Sequence, residues 1–350
     1  MLQILKMGLF RGILSLNRRY VLEKTRLENL AQLLKNAPDE VFIQPHNVPD
    51  PDAIASCFGL QYLLKTRGVN AVIVYENEIE KANSVKMLEL FSIEIHLAQT
   101  VATLGEEDWT VLVDVQKDNS NVTDLVTDEV AVIDHHEYSG SKGYKFEDVR
   151  PEIGACSTII AEYFFENSID IPRNVATALL YGIFMDTDNL TRGVSELDID
   201  MFYRLYGLSN ISLITELKGN QISINDLSDY AKAFSSVEIY GEIGFLYLDN
   251  SNDSLLGAAS DIVITIAGVN IVVAYSPREK GYKFSVRSIN KKIKASELVR
   301  NILKDVGFGG GHSSMAGGFL PRENLEENKS LHTFVRYRTI SCFEESLNKR

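Results

Sequence analysis

The sequence predicts an α/β protein of two domains, and three observations carry that expectation. At about 150 residues per domain, a chain of 350 residues has length for two. From about residue 40, short β-branched runs alternate with stretches of helical length. A polar stretch over 207–229 then separates this region from a second set of runs. Strand–helix alternation with apolar strands implies a doubly wound, mostly parallel sheet covered on both faces. The expected layout is a helical extension over 1–35, a sheet domain over 36–206, a linker over 207–229 and a smaller α/β domain over 230–345.

Taken in order, Leu2, Leu5, Leu9 and Ile13 fall at helical spacing, and Lys6 and Arg11 interrupt the apolar run, which argues against a secretory segment. Such a basic amphipathic helix suits packing on the body, on a partner or at a homodimer contact, with a membrane surface as the alternative. Val41–Gln44, Ala71–Tyr75, Thr110–Val115 and Val130–Asp134 are β-branched and of strand length. Ile54–Arg67 and Ser84–Phe91 read as the helices between them, and helices dominate 157–206, including Asn174–Met185. In the second unit, strands are expected at Gly244–Leu248, Asp261–Ala267, Asn270–Tyr275 and Tyr282–Arg287. A helix over Ala295–Lys304 and the glycine run GFGGGHSSMAGG at Gly307–Gly318 follow.

A hydrophobic content of 45% and a charged content of 24% exclude collagen-like, low-complexity and disordered chains. No run approaches the roughly 20 apolar residues that span a bilayer, so no integral membrane association is expected. Cys57, Cys156 and Cys342 form no C-x-x-C pair, which speaks against a disulfide framework or a cysteine zinc site and fits a reducing cytoplasm. The net charge of -13 argues against a broad grip on long duplex nucleic acid. The charge is uneven. Residues 278–304 carry nine basic and two acidic side chains, and 1–38 carry seven and two, so the remainder is strongly acidic. An acidic body with one local basic segment suits a small anionic ligand beside a metal.

The chemistry-bearing residues sit at strand ends. His46, Asp50 and Asp52 follow the first strand, Asp114 lies near the end of the third, and Asp134, His135 and His136 close the fourth; Asp186 ends the long helix. In an open parallel sheet these positions share one edge, where ligands bind. A lone Asp after a strand is ordinarily a turn or cap residue. Five acids and three histidines converging would repel one another unless a cation neutralised them. Oxygen-rich donors with a minority of imidazoles and no thiolate suit Mn²⁺ before Mg²⁺, Fe²⁺ or Co²⁺. The donors suffice for two ions sharing a carboxylate, an arrangement that hydrolyses phosphate esters.

HNVPDPDAIAS, VLVD, the literal DHH and GIFMDTD resemble the four motifs of the DHH phosphoesterases, and FSVRS with GFGGGHSSMAGG resembles the DHH-associated C-terminal domain. The resemblance spans roughly 40–320 and places the active site in the cleft between the two domains. It implies one metal on His46, Asp50 and Asp114 and a second on Asp52, Asp114, His135 and Asp186. His136 would face the scissile phosphate, Asp134 would orient the histidines, and water would be the nucleophile. Pro51 stands where the family often has glycine, which stiffens the loop while leaving both carboxylates available.

For substrate, Gly309, Gly310 and Gly311 let backbone N–H groups approach an anion. Arg287, followed by Ser288 in the resembling motif, offers a planar fork for phosphate or a base edge, and His312 a hydrogen bond or a stacking face. Ser157 and Thr158 are candidates to cap a helix facing the phosphate, and Arg192 is a weaker candidate nearby. His96 and His332 read as structural. The compact layout resembles oligoribonucleases and phosphodiesterases acting on linear dinucleotides such as pGpG, pApA or pApG. Cyclic dinucleotides and 3′-phosphoadenosine 5′-phosphate are the alternative substrates, and a catalytically inactive nucleotide-binding regulator is a remote one.

Overall fold

The computed structural model describes residues 24–79, 81–138, 140, 142–218, 227–249, 251–325 and 330–348. The helix expected from Leu2, Leu5, Leu9 and Ile13 lies outside them. The first sheet holds β1 (Val41–Gln44), β2 (Val72–Tyr75), β3 (His96–Leu97), β4 (Trp109–Val113), β5 (Asp128–Asp134) and β6 (Phe146–Val149). Their order is β3-β2-β1-β4-β5-β6 and every neighbouring pair is parallel. The order reverses at β1 and β4, and such a switch point opens a crevice beyond the carboxyl ends of the strands.

Among the described residues, seven α-helices accompany this sheet: α1 (Arg26–Leu34), α2 (Pro51–Thr66), α3 (Ala82–Phe91), α4 (Cys156–Glu166), α5 (Arg173–Asp186), α6 (Glu196–Tyr206) and α7 (Ile211–Lys218). Their apolar residues form one core with Val41, Ile43, Val111, Val113, Ala131 and Ile133 of the strands. Alternation along the strands sends Phe42, Val74, Leu112 and Val132 to the other face. There they pack against loop residues such as Val101, Leu104, Val122, Leu125 and Tyr144. Ile214 and Leu217 of α7 belong to the first core, so part of the stretch expected as a linker is built into the first domain.

The second unit comprises α8 (Leu227–Ser235), β7 (Glu238–Tyr240), β8 (Ile243–Tyr247), α9 (Asp253–Val263), β9 (Ile271–Arg278), β10 (Gly281–Ser288), α10 (Ala295–Ile302), β11 (Phe308–Gly311), β12 (Met315–Pro321) and α11 (Leu331–Asn348). Its sheet runs β11-β12-β10-β9-β8-β7, antiparallel except where β8 meets β9. One face packs Phe284, Val286, Ala316 and Leu320 against α10 and α11. The other packs Leu246, Val272 and Ala274 against α8 and α9.

One expectation is corrected here. Asp261–Ala267 is not a strand: Asp261–Val263 is the last turn of α9, which Asn252 caps through the Leu255 N–H. Leu255, Leu256, Ala259 and Val263 form its buried stripe, a helical period that the β-branched run Ile262–Ile266 obscures. The glycine run forms strands. It supplies β11 and β12, in which Ala316, Gly318 and Leu320 are buried while Met315, Gly317 and Phe319 are partly exposed. Glycine conceals the period-two pattern because a missing side chain carries no polarity.

Candidate metal centre

The carboxyl ends of β1, β4 and β5 and the C-terminus of α5 bring the sequence-predicted donors together. After β1, Asp50 caps α2, accepting the backbone N–H groups of Asp52 and Ala53 at 3.0 and 3.2 Å. Pro51 occupies the first helical position, where a missing N–H costs nothing. Asp52 is buried and accepts the Cys156 and Ser157 N–H groups at 2.7 and 2.9 Å. The N-terminus of α4 therefore faces Asp52 rather than a substrate phosphate, which corrects the reading of Ser157 and Thr158. Their hydroxyls point inward, Ser157 to the Asp52 carbonyl and Thr158 to Asp198.

Asp114 directly follows β4 with φ of 63°, in the left-handed region. Such a conformation costs of order 1–3 kcal/mol in a non-glycine residue and persists where the surroundings impose it. The twist aims the carboxylate into the crevice. Its Oδ1 is buried without a hydrogen bond, 3.3 Å from His135 Nε2, and its Oδ2 lies 3.8 Å from His46 Nε2. A buried oxygen left without a donor is costly unless a cation takes its place.

His135 is fixed by its Nδ1, which donates to the Ile153 carbonyl at 3.1 Å. Its Nε2 is thereby turned toward Asp186 Oδ2 at 3.0 Å, Asp114 at 3.3 Å and Asp52 Oδ2 at 4.0 Å. Holding the other ring nitrogen on a carbonyl is how metal-ligating histidines are usually oriented. Two donor groups result, His46 with Asp50 and Asp114, and Asp52 with Asp114 and His135, each with ligand atoms inside 4.8 Å. They share Asp114, and Asp186 stands beside the second. The orphaned oxygen, the crowded carboxylates and the imidazoles held with one nitrogen free all fit divalent metal.

Electrostatics without metal show the strain of this crowding. Burial, then the Asp114 and Asp186 charges, raises the Asp52 carboxyl well above its ordinary range. Burial also raises Asp114. Burial opposes charge on His135 too, but the Asp114 and Asp186 carboxylates outweigh it and lift the imidazole well above normal. For Asp186 burial works upward, and contact with His135 reverses it to a net lowering.

Asp134 is not offered to this centre. Its Oδ1 accepts the His135 N–H at 2.8 Å and pairs with His136 Nδ1 at 2.7 Å, while Oδ2 accepts Gln116 Nε2 at 2.6 Å. Burial alone would lower the His136 pKa, but Asp134 raises it to about 9. Gln116, which also donates to the Glu137 carbonyl, is not among the sequence-predicted residues. Only its place two residues after Asp114 hints at a role. Arg192 donates to the Asp186 carbonyl at 2.8 Å and so braces the end of α5.

From the second domain, His312 reaches this edge, its ring 4.8 Å from His136 and 5.7 Å from His135. Gly309 faces α10 through Val299, whereas Gly310 opens to free space and Gly311 takes φ of 135° against Ala316. Arg287 is buried on β10 and paired with Asp261 of α9 at 2.5 Å. The Ser288 hydroxyl donates to the Ile293 carbonyl. Thus His312 and the glycines lie with the catalytic edge or next to it, while Arg287 and Ser288 are engaged within their own domain. His332 pairs with the Tyr275 hydroxyl at 2.8 Å, as a structural histidine would.

Residues 40–183 match the DHH family, N-terminal domain, and 241–332 match the DHHA1 domain. The chain belongs to the DHH family. It is 29% identical over 302 residues to the uncharacterized protein MJ1633 of Methanocaldococcus jannaschii, covering 86% of this chain and 60% of that one. It is 27% identical over 328 residues to the cyclic-di-AMP phosphodiesterase PdeA of Listeria monocytogenes, covering 85% of this chain and 47% of that one. The chain therefore spans less than two thirds of the length of these two relatives. The crystal structure of an exopolyphosphatase-related protein from Bacteroides fragilis shares the fold, with a TM-score of 0.72 at 19% identity over 93% of this chain and 96% of that one. No helix among the described residues is long and apolar enough to cross a membrane.

Proposed function

We propose that this protein is a Mn²⁺-dependent phosphodiesterase that cuts linear dinucleotides and very short oligoribonucleotides into 5′-mononucleotides. His46, Asp50 and Asp114 hold one ion and Asp52, Asp114, His135 and Asp186 the other. Two bound ions would supply Lewis acidity and a water acidic enough to attack near neutral pH.

The chain's own residues do the rest. Asp114 belongs to both donor groups and would serve both ions. The Ile153 carbonyl keeps the His135 Nε2 lone pair available. Asp134 keeps His136 charged and directs its Nε2–H outward, to the scissile phosphate or its leaving oxygen. Burial and the neighbouring His136 hold His312 at about 4, so it stays neutral and adds no repulsion there.

The observation that carries the dinucleotide reading is a bare sheet face beside His312. Gly309 and Gly318 turn toward α10, so alternation puts Phe308, Gly310, Gly317 and Phe319 on the opposite face. On that face α9 packs against β9 and β10, Gly310 has open space above it, and Phe308 is 57% exposed. A glycine floor beside aromatic rings suits the flat face of a base. A phosphate at His136 with a base on this face would suit a short substrate.

The test is product analysis with Mn²⁺ on pGpG, pApA, a five-nucleotide RNA, cyclic dinucleotides and 3′-phosphoadenosine 5′-phosphate, with the Asp134→Ala/His135→Ala double variant as blank. Conversion of linear dinucleotides to mononucleotides, absent in the blank, supports the reading. Turnover of cyclic dinucleotides alone, as the likeness to PdeA would favour, or of 3′-phosphoadenosine 5′-phosphate alone, overturns the substrate and leaves the centre standing.

A further inference from the structure

We propose that His135, His136 and His312 form a second, imidazole-only site that takes Zn²⁺ and latches the two domains together. The three side chains place one ligand atom each within 4.8 Å of the others. The trio shares His135 with the Asp114 centre, but its three donors are all imidazoles, whereas that centre is rich in carboxylate oxygen. Three imidazoles with an open fourth position are a standard zinc environment, whereas Mn²⁺ prefers carboxylates.

The ring orientations support the assignment. His135 and His136 both commit Nδ1, to the Ile153 carbonyl and to Asp134, which leaves the Nε2 of each as its ligating atom once the metal displaces the proton there. Neither ring nitrogen of His312 makes a hydrogen bond to a described residue. Zinc–nitrogen bonds of about 2.0–2.1 Å require donors roughly 3.3 Å apart. An ion held by all three would tie His312 of the second domain to His135 and His136 of the first.

The ion would withdraw His135 from the Asp114 centre and take His136 and His312 from the substrate, closing an empty cleft. Zinc would thus inhibit in competition with substrate. That consequence rests on the function proposed above; the binding itself does not.

The test uses the full chain and the metals alone. Zinc affinity is read by competition with a fluorescent chelator, and manganese affinity by paramagnetic resonance. Expected for His312→Ala, and for His312→Gln, which retains bulk, is a loss of zinc affinity of about tenfold or more with manganese affinity changed less than about twofold. His46→Ala should do the reverse. X-ray absorption at the zinc edge should show three imidazoles in the wild type. An unchanged zinc affinity in both His312 variants, or a spectrum with one imidazole among oxygen donors, overturns the proposal. Neither readout uses turnover, so the zinc result stands whether or not dinucleotides are the substrates.

Discussion

The Asp52 carboxylate, on α2, accepts the backbone N–H of Cys156 at 2.7 Å, at the first turn of α4. One carboxylate therefore both faces the metal centre and ties two helices together, with the Ser157 N–H as its second donor. Replacing Asp52 by alanine strands two buried amide donors, each worth about 1–3 kcal/mol when left unpaired. An asparagine in its place would keep one acceptor oxygen but lose the charge. Asp52→Ala is expected to lower stability by about 2–4 kcal/mol and Asp52→Asn by less, while both weaken manganese binding at least about tenfold. Urea unfolding and metal titration of both variants check this.

Gly182 marks how tightly that arrangement is packed. A Cβ there would lie 2.2 Å from Ser157 Oγ and 2.9 Å from Asp52 Oδ1. Alanine in mid-helix would ordinarily gain about 1 kcal/mol over glycine. Here the clash reverses the sign, and Gly182→Ala is expected to destabilise by about 1–3 kcal/mol and to weaken metal binding by displacing Asp52. Adding Ser157→Gly should recover part of both losses. A double-mutant cycle in unfolding and metal affinity measures it, and no recovery would refute the steric cause.

The donor set of the centre is legible in the sequence because its residues stand in the segments that follow strands, as far as the first turn of α2, or end a helix. Strand alternation then delivers such residues to one edge. Gln116 and Asp198 are not legible, since a lone amide and a buried Asp in ELDID carry no pattern. What gives them meaning is contact over long sequence separations. Likewise α9 and the β11–β12 pair are hidden where β-branched residues stand in a helix and glycines in strands, cases in which packing overrides local preference.

Metal binding should expel protons. Without metal, burial and neighbouring carboxylates raise Asp52, and the Asp114 and Asp186 carboxylates raise His135 against burial. Both shifts run upward, so both groups retain protons to higher pH in the metal-free fold, and ligation must remove them. Apparent manganese affinity is therefore expected to rise with pH from about 6 to 8. Calorimetry in two buffers of different ionisation enthalpy should show net proton release. Affinity that falls with pH would contradict the sign.

Asp198 supports His135 from a distance. Fully buried, it accepts from the Gly154 N–H at 2.8 Å, the Ser195 N–H and hydroxyl at 2.7 and 2.6 Å, and the Thr158 hydroxyl. Gly154 follows Ile153, whose carbonyl orients His135. Asp198→Ala leaves four donors unmatched and should cost about 3 kcal/mol or more. Asp198→Asn, which keeps the shape, is expected to retain the fold yet reduce manganese affinity roughly tenfold, seen by titration alongside an unchanged circular dichroism spectrum.

The bare face of β11 and β12 makes the last prediction. Phe308 lies 5.8 Å from Phe319, ring centre to ring centre, and is more than half exposed, at the edge of a floor where Gly310 and Gly317 carry no side chain. A base stacked there would gain about 1–3 kcal/mol from an aromatic ring. If dinucleotides are the substrates, Phe308→Ala should raise KM about tenfold with kcat little changed, and Phe308→Tyr should restore it. Gly310→Val, which fills the floor, should raise KM for a dinucleotide while leaving manganese affinity as it was. Steady-state kinetics with a dinucleotide and with a single-phosphate ester lacking a second base separate the two contributions. Equal losses on both substrates would place the effect at the phosphate and not at the base.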